Sequence, residues 1–317
     1  MKALFKSASA YELARFLYRQ FVPEPHYPPP VWQSLLCQPL SLSEKRLYAA
    51  GRRSTVGLTL PDFLGLGGLQ SGTTWLWANL RTHPRIYLPE TKELHYFSWH
   101  YHRSLKYYSS RLAPSGQRLA GEITTEYLNL NLARIRFIHT IIPDVRLVVM
   151  IRNPIDRAWA HAKQSLMFRP GKRYAEVSQA DFLRHLRSDA SLRAGDYLTG
   201  LDNWLSVFPQ EQLFVGFYDD IQARPLELLH DVCKHLGISA DVPWHEDCVL
   251  EHQHKLLDLQ IEPADKPEET RHDLWQWSDM NAAPSPYFPV LEELYHDSIE
   301  RLYARFGAPV APWRCHP

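Results

Sequence analysis

The chain has 317 residues, 45% hydrophobic and 22% charged, so it is long enough to bury a sizeable core in one large or two smaller domains. Its formal net charge is zero, and no block of like charge indicates a surface for nucleic acid or anionic membrane. The four cysteines form no CxxC pair and do not indicate a disulfide framework in so long a chain. No apolar run approaches about 18 residues, so we expect a cytoplasmic protein without a transmembrane segment.

The first 60 residues predict an extension outside the main domain. Residues 1–21 are amphipathic and predict a helix, and they lack the continuous apolar core of a signal peptide. Val22–Trp32 is rich in proline, which excludes a helix or a central strand. We therefore expect a helical extension with a proline-rich linker over 1–60 and a single domain over 61–317.

Downstream, apolar strand patterns alternate with helical ones. The candidate strands are DFLGLG from Asp62, RLAGEI from Arg118, VRLVVMI over Val145–Ile151 and QLFVGFY over Gln212–Tyr218. Helical patterns start at Thr74, Pro154, Pro225 and Val290, and a further one surrounds Ile138. VRLVVMI lacks polar alternation after Arg146, as expected for a strand covered on both faces. The prediction is an α/β fold, a single P-loop-like domain with a central parallel sheet flanked by helices, whose ligands bind outside the carboxyl ends of the strands.

The segment Gly65–Trp75, GLGGLQSGTTW, predicts a phosphate-binding loop between a strand and a helix. It fits the pattern G-x-x-x-x-G-K-[ST] at Gly67, Gly72 and Thr74, but Thr73 stands at the lysine position. Backbone N–H groups converge in such a turn, and the helix dipole adds positive potential. A purely structural glycine-rich turn is the alternative, and the flanking strand and helix favour phosphate binding.

A second anion-binding residue follows VRLVVMI. The strand leads into Arg152, a forked cation, where a nucleoside triphosphatase needs an acid for magnesium. Two anion-binding loops without a magnesium carboxylate suit a ligand with two separate phosphate groups and no metal. A P-loop kinase stays as a less favoured alternative because the lysine is missing.

Four segments in order carry a resemblance to a known family. They are LQSGTTW (Leu69–Trp75), KELHYF (Lys92–Phe97), GEITTEYL (Gly121–Leu128) and RNPIDRAWA (Arg152–Ala160). With them the chain resembles sulfotransferases that use 3′-phosphoadenosine 5′-phosphosulfate (PAPS), in the bacterial and heparan-sulfate-type branch, from about Asp62 to Trp313. The resemblance implies sulfuryl transfer to a hydroxyl or amine of a small-molecule, lipid or carbohydrate acceptor. The other product is adenosine 3′,5′-bisphosphate (PAP).

The resemblance also implies roles for individual residues. Glu93 is expected to be the general base, with Lys92 and His95 as secondary candidates. Arg152 should meet the 3′-phosphate, and Arg157 should reach the nucleotide or pair with a surface carboxylate. The residues expected to bind the nucleotide are Gln70, Ser71, Gly72, Thr73, Thr74, Trp75 and Arg152. The Trp75 ring either stacks on adenine or packs in the core.

Three positions depart from the family pattern. Gln70 replaces a lysine or arginine, Ala160 replaces the serine that contacts the 3′-phosphate, and Ile123 replaces a lysine of the heparan-type branch. Two explanations stay open: another cation takes over, or the chain is a nucleotide-binding pseudoenzyme. The candidate cations are Lys92, Arg81 and Lys163. The His- and Cys-containing segment Trp244–His254 has no zinc spacing, so no metal site is predicted.

Overall fold

The computed structural model describes residues 39–168, 174–244 and 286–314. The predicted helix at 1–21, the proline-rich segment at 22–32 and residues 245–254 of the discounted metal segment lie outside these ranges. Within the described residues the chain forms a five-stranded sheet with helices on both faces. The predicted α/β fold with a central parallel sheet is confirmed.

The sheet has the order β2-β3-β1-β4-β5, and every neighbouring pair is parallel. Its strands are β1 (Phe63–Gly67), β2 (Ile86–Tyr87), β3 (Leu119–Ile123), β4 (Arg146–Ile151) and β5 (Leu213–Phe217). Four of them match predicted strands. The additional strand, β2, has two residues and is too short to give a periodic pattern.

Helices precede, connect and follow the strands. In chain order they are α1 (Pro39–Ala49), α2 (Thr73–Thr82), α3 (Leu105–Leu112), α4 (Leu132–Ile141), α5 (Pro154–Lys163), α6 (Gln179–Leu186), α7 (Asp189–Gly195), α8 (Tyr197–Leu205), α9 (Tyr218–Ala223), α10 (Pro225–Leu236) and α11 (Phe288–Phe306). α5 and α10 begin with proline, which fixes the first turn. α10 ends at Gly237, which takes the left-handed conformation at φ 69°.

Hydrophobic side chains form two clusters, one on each face of the sheet, and β4 alternates between them. On β4, Leu147 and Val149 join the larger cluster, whereas Val148 and Met150 join the smaller one. All four are at most 1% exposed. The absence of polar alternation in VRLVVMI therefore has the predicted cause, burial of both faces.

The last part of the predicted extension packs on the sheet domain. Tyr48 of α1 is 5% exposed and belongs to the larger hydrophobic cluster. Lys45 donates a hydrogen bond from Nζ to the Arg103 carbonyl oxygen at 2.9 Å. Among the helices within the described ranges, none is both long and apolar enough to span a membrane.

Parallel strands bring their following loops to one edge of the sheet. The loop after β1 holds Gln70, the loop after β2 holds Glu93, the segment after β3 begins at Thr124, and the loop after β4 begins at Arg152. The sequence-predicted site residues are thus collected at the carboxyl edge, as the rule for open α/β sheets predicts.

Candidate functional site

The loop between β1 and α2 is shaped by glycines. Gly67 has φ 123°, and a Cβ there would overlap the Thr125 carbonyl oxygen. Gly68 donates its N–H to the Met150 carbonyl oxygen at 2.6 Å, which fixes the turn against β4. Gly72, at φ 87°, is the N-cap of α2 and supplies no side-chain cap. The N–H groups of the first turn of α2 are therefore suited to an anion.

Arg152 stands beside this loop and is 6% exposed. Its Nη1 donates to the Gln70 carbonyl oxygen at 3.4 Å, and its guanidinium lies 4.1 Å from the centre of the Tyr218 ring. Its Nε is buried and has no hydrogen-bond partner within the described residues. A buried guanidinium with an unsatisfied donor fits a phosphate ligand, because an unmet buried donor is costly.

Tyr197, at the start of α8, joins the two anion-binding loops. Its hydroxyl lies 3.1 Å from Ser71 Oγ and accepts the Arg152 N–H at 3.4 Å. The absence of a side chain at Gly68 permits this approach, since a Cβ there would lie 2.8 Å from Tyr197 Cε1. The role of Tyr197 was not foreseen, because the sequence separates it from Ser71 by 126 residues.

The predicted general base, Glu93, carries a dense set of contacts. Its Oε1 lies 2.7 Å from Lys92 Nζ and accepts the Thr125 hydroxyl at 3.2 Å. Its Oε2 lies 3.2 Å from His95 Nε2. The other ring nitrogen of His95, Nδ1, lies 3.5 Å from Glu126 Oε2. Both secondary candidates therefore contact Glu93 directly.

The same contacts set the protonation of this group. Burial alone would raise the pKa of Glu93, but the Lys92 ammonium and the hydrogen bond and charge of His95 lower it to about 2. Burial lowers the pKa of His95, whereas Glu126 and Glu93 raise it, and the net pKa lies above the ordinary value. At neutral pH the Glu93 carboxylate is thus ionised.

A buried carboxylate on β3, Glu122, organises the segment that holds Glu93. It is 1% exposed and accepts hydrogen bonds from the hydroxyls of Tyr108, Tyr127 and Thr124. Two of these hydroxyls also accept backbone N–H groups of the KELHYF segment. Thr124 Oγ1 accepts the His95 N–H at 3.3 Å, and the Tyr127 hydroxyl accepts the N–H of Phe97 at 3.1 Å. Burial raises the pKa of Glu122 to about 6, against the opposing effect of the three hydroxyl donors.

One residue, Thr125, connects the base to the phosphate loop. Its hydroxyl donates to Glu93, and its carbonyl oxygen occupies the space that a Gly67 side chain would need. Glu93 is thus separated from the loop by a single residue. Both predicted halves of the site, the anion loop and the base, meet at the ends of β1 and β3.

Two residues that were expected near the nucleotide are fully buried. The Trp75 side chain is fully buried in the smaller hydrophobic cluster, so the core-packing alternative holds and adenine stacking does not. Arg157 is also fully buried and donates from Nη2 to the Ser191 carbonyl oxygen at 2.9 Å and to the Tyr295 hydroxyl at 3.0 Å. It links α5 to α7 and α11 and does not meet a surface carboxylate.

The candidate replacement cations divide by position. Arg81 lies in the last turn of α2, exposed, with its guanidinium over the Trp77 ring, so it is at the far end of that helix from the loop. Lys92 is in the site against Glu93. Lys163 is 7% exposed, and burial, together with the charge of Arg152, lowers its pKa to about 8. Lys92 and Lys163 therefore supply positive charge near the base and near Arg152, respectively.

The two other departures are accommodated differently. Ile123 is 2% exposed in the smaller cluster, and Cγ1 of its side chain lies 2.7 Å from the position of a Cβ on Gly65, so the residue is packed as core. Ala160 is half-buried on α5. Over the described residues, no group of three or more His, Cys, Asp and Glu side chains is arranged to hold a metal ion.

Two curated sulfotransferases are similar to this chain. Human heparan sulfate glucosamine 3-O-sulfotransferase 6 is 35% identical over 166 residues, which cover 49% of this chain and 46% of the relative. The membrane-associated sulfotransferase kil1 of Dictyostelium discoideum is 31% identical over 105 residues, or 32% of this chain and 22% of the relative. The chain spans less than half the length of these curated relatives.

The fold has a counterpart among solved structures. A sulfotransferase from Alicyclobacillus acidocaldarius superposes with a TM-score of 0.58 at 21% identity, over 81% of this chain and 100% of that one. At this identity the likeness concerns the fold alone. The model of the sulfotransferase domain matches residues 60–261, more than half of the 317 residues. The chain therefore belongs to the sulfotransferase family.

Proposed function

We propose that this chain transfers a sulfuryl group from PAPS to a hydroxyl or amine, with Glu93 as the general base and PAP as the second product. The observation that carries the proposal is the junction at Thr125, which touches both Glu93 and Gly67. A base and an anion loop that share a contact residue suit a reaction in which a proton is removed beside a phosphate-linked group.

The donor-binding residues divide between two phosphates. The first turn of α2 with Ser71, Thr73 and Thr74 holds the 5′-phosphosulfate, and Arg152 with Lys163 holds the 3′-phosphate. The unsatisfied Nε of buried Arg152 supports this assignment. PAPS supplies an activated sulfuryl group whose leaving group is a phosphate. Gln70 contributes its backbone to the loop and no charge.

Glu93 acts on the acceptor. Its carboxylate is held by Lys92, His95 and Thr125, which leaves few orientations open to it. A fixed, ionised carboxylate removes the acceptor proton as the new bond to sulfur forms. Lys92 also places a cation next to Glu93.

Nucleotide binding gives the first test. PAP should raise the melting temperature of the full chain, whereas ADP and magnesium–ATP at equal concentration should raise it less, because only PAP carries the 3′-phosphate that Arg152 meets. Stabilisation by magnesium–ATP and not by PAP would favour a kinase and contradict the proposal.

Turnover gives the second test. Transfer of ³⁵S from PAPS would be measured on de-O-sulfated heparin oligosaccharides, on p-nitrophenol and on a glycolipid, since one named relative is a heparan sulfate glucosamine 3-O-sulfotransferase. Glu93→Gln should lower kcat by about 10²–10⁴-fold and leave PAP affinity within about twofold. Glu211→Gln, an exposed carboxylate before β5 at the opposite edge, is the matched control. Equal kcat for Glu93→Gln and the control would remove Glu93 from its role.

A nucleotide-binding protein without transfer is the second candidate. Gln70 and Ala160 favour it, since each removes a donor to the nucleotide that the family possesses. This candidate predicts PAP binding together with no ³⁵S transfer to any of the three acceptors.

A further inference from the structure

His95 is bracketed by two carboxylates. Its Nε2 lies 3.2 Å from Glu93 Oε2, and its Nδ1 lies 3.5 Å from Glu126 Oε2 and 3.2 Å from Ser98 Oγ. An imidazole can accept a proton on one nitrogen and release another proton from the opposite nitrogen. The contacts therefore form one continuous path of three titratable groups.

The path runs from Glu93, on the side proposed for the acceptor, through the buried His95 to the more exposed Glu126. The His95 side chain is 9% exposed, whereas the Glu126 side chain is 38% exposed, and that of Glu93 is 26% exposed. Glu126 lies in the single turn after β3, directly after Thr125, which contacts the phosphate loop. The segment after β3 thus carries Glu126, the outer end of the path, and also contacts Glu93, the inner end, through the Thr125 hydroxyl.

The ring of His95 is held in a fixed plane along this path. It stacks on Trp99 with 3.6 Å between ring centres and an interplanar angle of 8°. Its backbone has φ 51° and is tied by the N–H hydrogen bond to Thr124 Oγ1. A histidine that served only as core packing would not need acidic partners on both ring nitrogens.

In these surroundings Glu93 is a weak proton acceptor, because Lys92 and His95 hold its pKa at about 2 against the effect of burial. General-base catalysis is most effective when the pKa of the acceptor lies near the working pH. His95, whose pKa lies above the ordinary value, can take up this proton at Nε2 only if Nδ1 passes its own proton to Glu126. The charges that act on the imidazole are Glu93, Glu126 and the more distant Glu122.

We propose that Glu126 is the outlet of a proton relay, through which the proton taken up by Glu93 passes by way of His95 to solvent. The relay rests on the proposed sulfuryl transfer.

As the acceptor O–H or N–H bond breaks, its proton goes to Glu93 and the acceptor atom forms its bond to sulfur. The bond between sulfur and the phosphate oxygen breaks, and its electron pair leaves with PAP. Glu93 then gives the proton to His95 Nε2 as Nδ1 releases its own proton to Glu126, which passes it to water. His95 and Glu126 act through Glu93 and are positioning residues in this sense.

Removal of the outlet tests the relay. In Glu126→Ala, kcat with the best of the three acceptors should fall about 10-fold or more while KM for PAPS and PAP affinity stay unchanged. Because Glu126 is partly exposed, formate in the medium should restore much of the lost kcat. Glu126→Gln keeps a hydrogen-bond acceptor but cannot take the proton, so formate should not restore it. Glu211→Gln should match the wild type with and without formate.

A titration of His95 by ¹⁵N-edited NMR, in the presence of PAP, gives a readout that needs no acceptor. In Glu126→Gln the pKa of His95 should fall relative to the wild type, because one of its two carboxylates is gone. Wild-type kcat in Glu126→Ala, or an unchanged His95 titration, would overturn the relay alone. A wild-type chain that binds PAP but transfers no sulfate would overturn the proposed function and, with it, the relay.

Discussion

Glu122→Gln should remove a pH-dependent part of the stability of this protein. Glu122 is 1% exposed, and burial raises its pKa from 4.5 to about 6. Because the folded-state pKa lies above the unfolded value, protonated Glu122 favours the native state. This contribution is fully present below about pH 4.5 and is lost as the pH rises through about 6.

The magnitude follows from the two pKa values. Their difference of about 1.5, at about 1.4 kcal/mol per pKa unit, corresponds to about 2 kcal/mol of unfolding free energy over the whole range. More than half of this amount falls between about pH 5 and pH 8. A glutamine resembles the protonated acid, since its carbonyl oxygen can still accept the hydroxyls of Tyr108 and Tyr127. The variant should therefore gain on the wild type as the pH rises.

The assay is guanidinium unfolding followed by tryptophan fluorescence at several pH values from 5 to 8. The difference in unfolding free energy between Glu122→Gln and the wild type is compared at each pH. Any constant cost of the substitution appears at every pH, so only the slope of this difference is interpreted. Glu211→Gln, which removes an exposed carboxylate, should stay within about 0.5 kcal/mol of the wild type throughout. A difference between Glu122→Gln and the wild type that does not change with pH would refute the reasoning.

Two further predictions concern the phosphate loop. Tyr197→Phe removes the hydroxyl between Ser71 and the Arg152 N–H. PAP affinity measured by calorimetry should therefore fall about 10-fold, with only a small loss in melting temperature. An unchanged affinity would show that the loops after β1 and β4 hold their positions independently. Gly67→Ala places a Cβ against the Thr125 carbonyl oxygen at φ 123°, so soluble yield and melting temperature should fall strongly. Gly116→Ala is also strained at φ 61°, but nothing lies within 4 Å of its Cβ, so its losses should be smaller; equal effects would show that φ, not the contact with Thr125, sets the cost.

The regular part of the fold was predictable because its signals are local. The apolar run of β4 indicates burial of both faces, and Gly237 marks the end of α10. β2 was missed because a strand of two residues has no period. The position of Trp75 was left open because an aromatic residue in an amphipathic helix suits a core and a ligand equally well.

The site was predictable only where a short motif carried it. The loop residues and Glu93 belong to contiguous segments, whereas Tyr197 and Glu126 acquire their roles from partners that the fold brings close. One missed residue had a visible signal. Glu122 stands within the apolar strand LAGEI, and a carboxylate in a buried strand needs hydrogen-bond donors, which indicates a polar network.

Backbone strain falls on the residues that the site needs. Within the described ranges, the non-glycine residues with positive φ are Gln70 at 61°, Glu93 at 64° and His95 at 51°. Such conformations cost about 1–3 kcal/mol each and persist only where surrounding contacts impose them. Those contacts are Arg152 on the Gln70 carbonyl, Lys92 and Thr125 on the Glu93 carboxylate, and Thr124 on the His95 N–H. The three strained residues are a member of the phosphate loop, the base and the imidazole, so the strain coincides with the groups that we propose face one ligand.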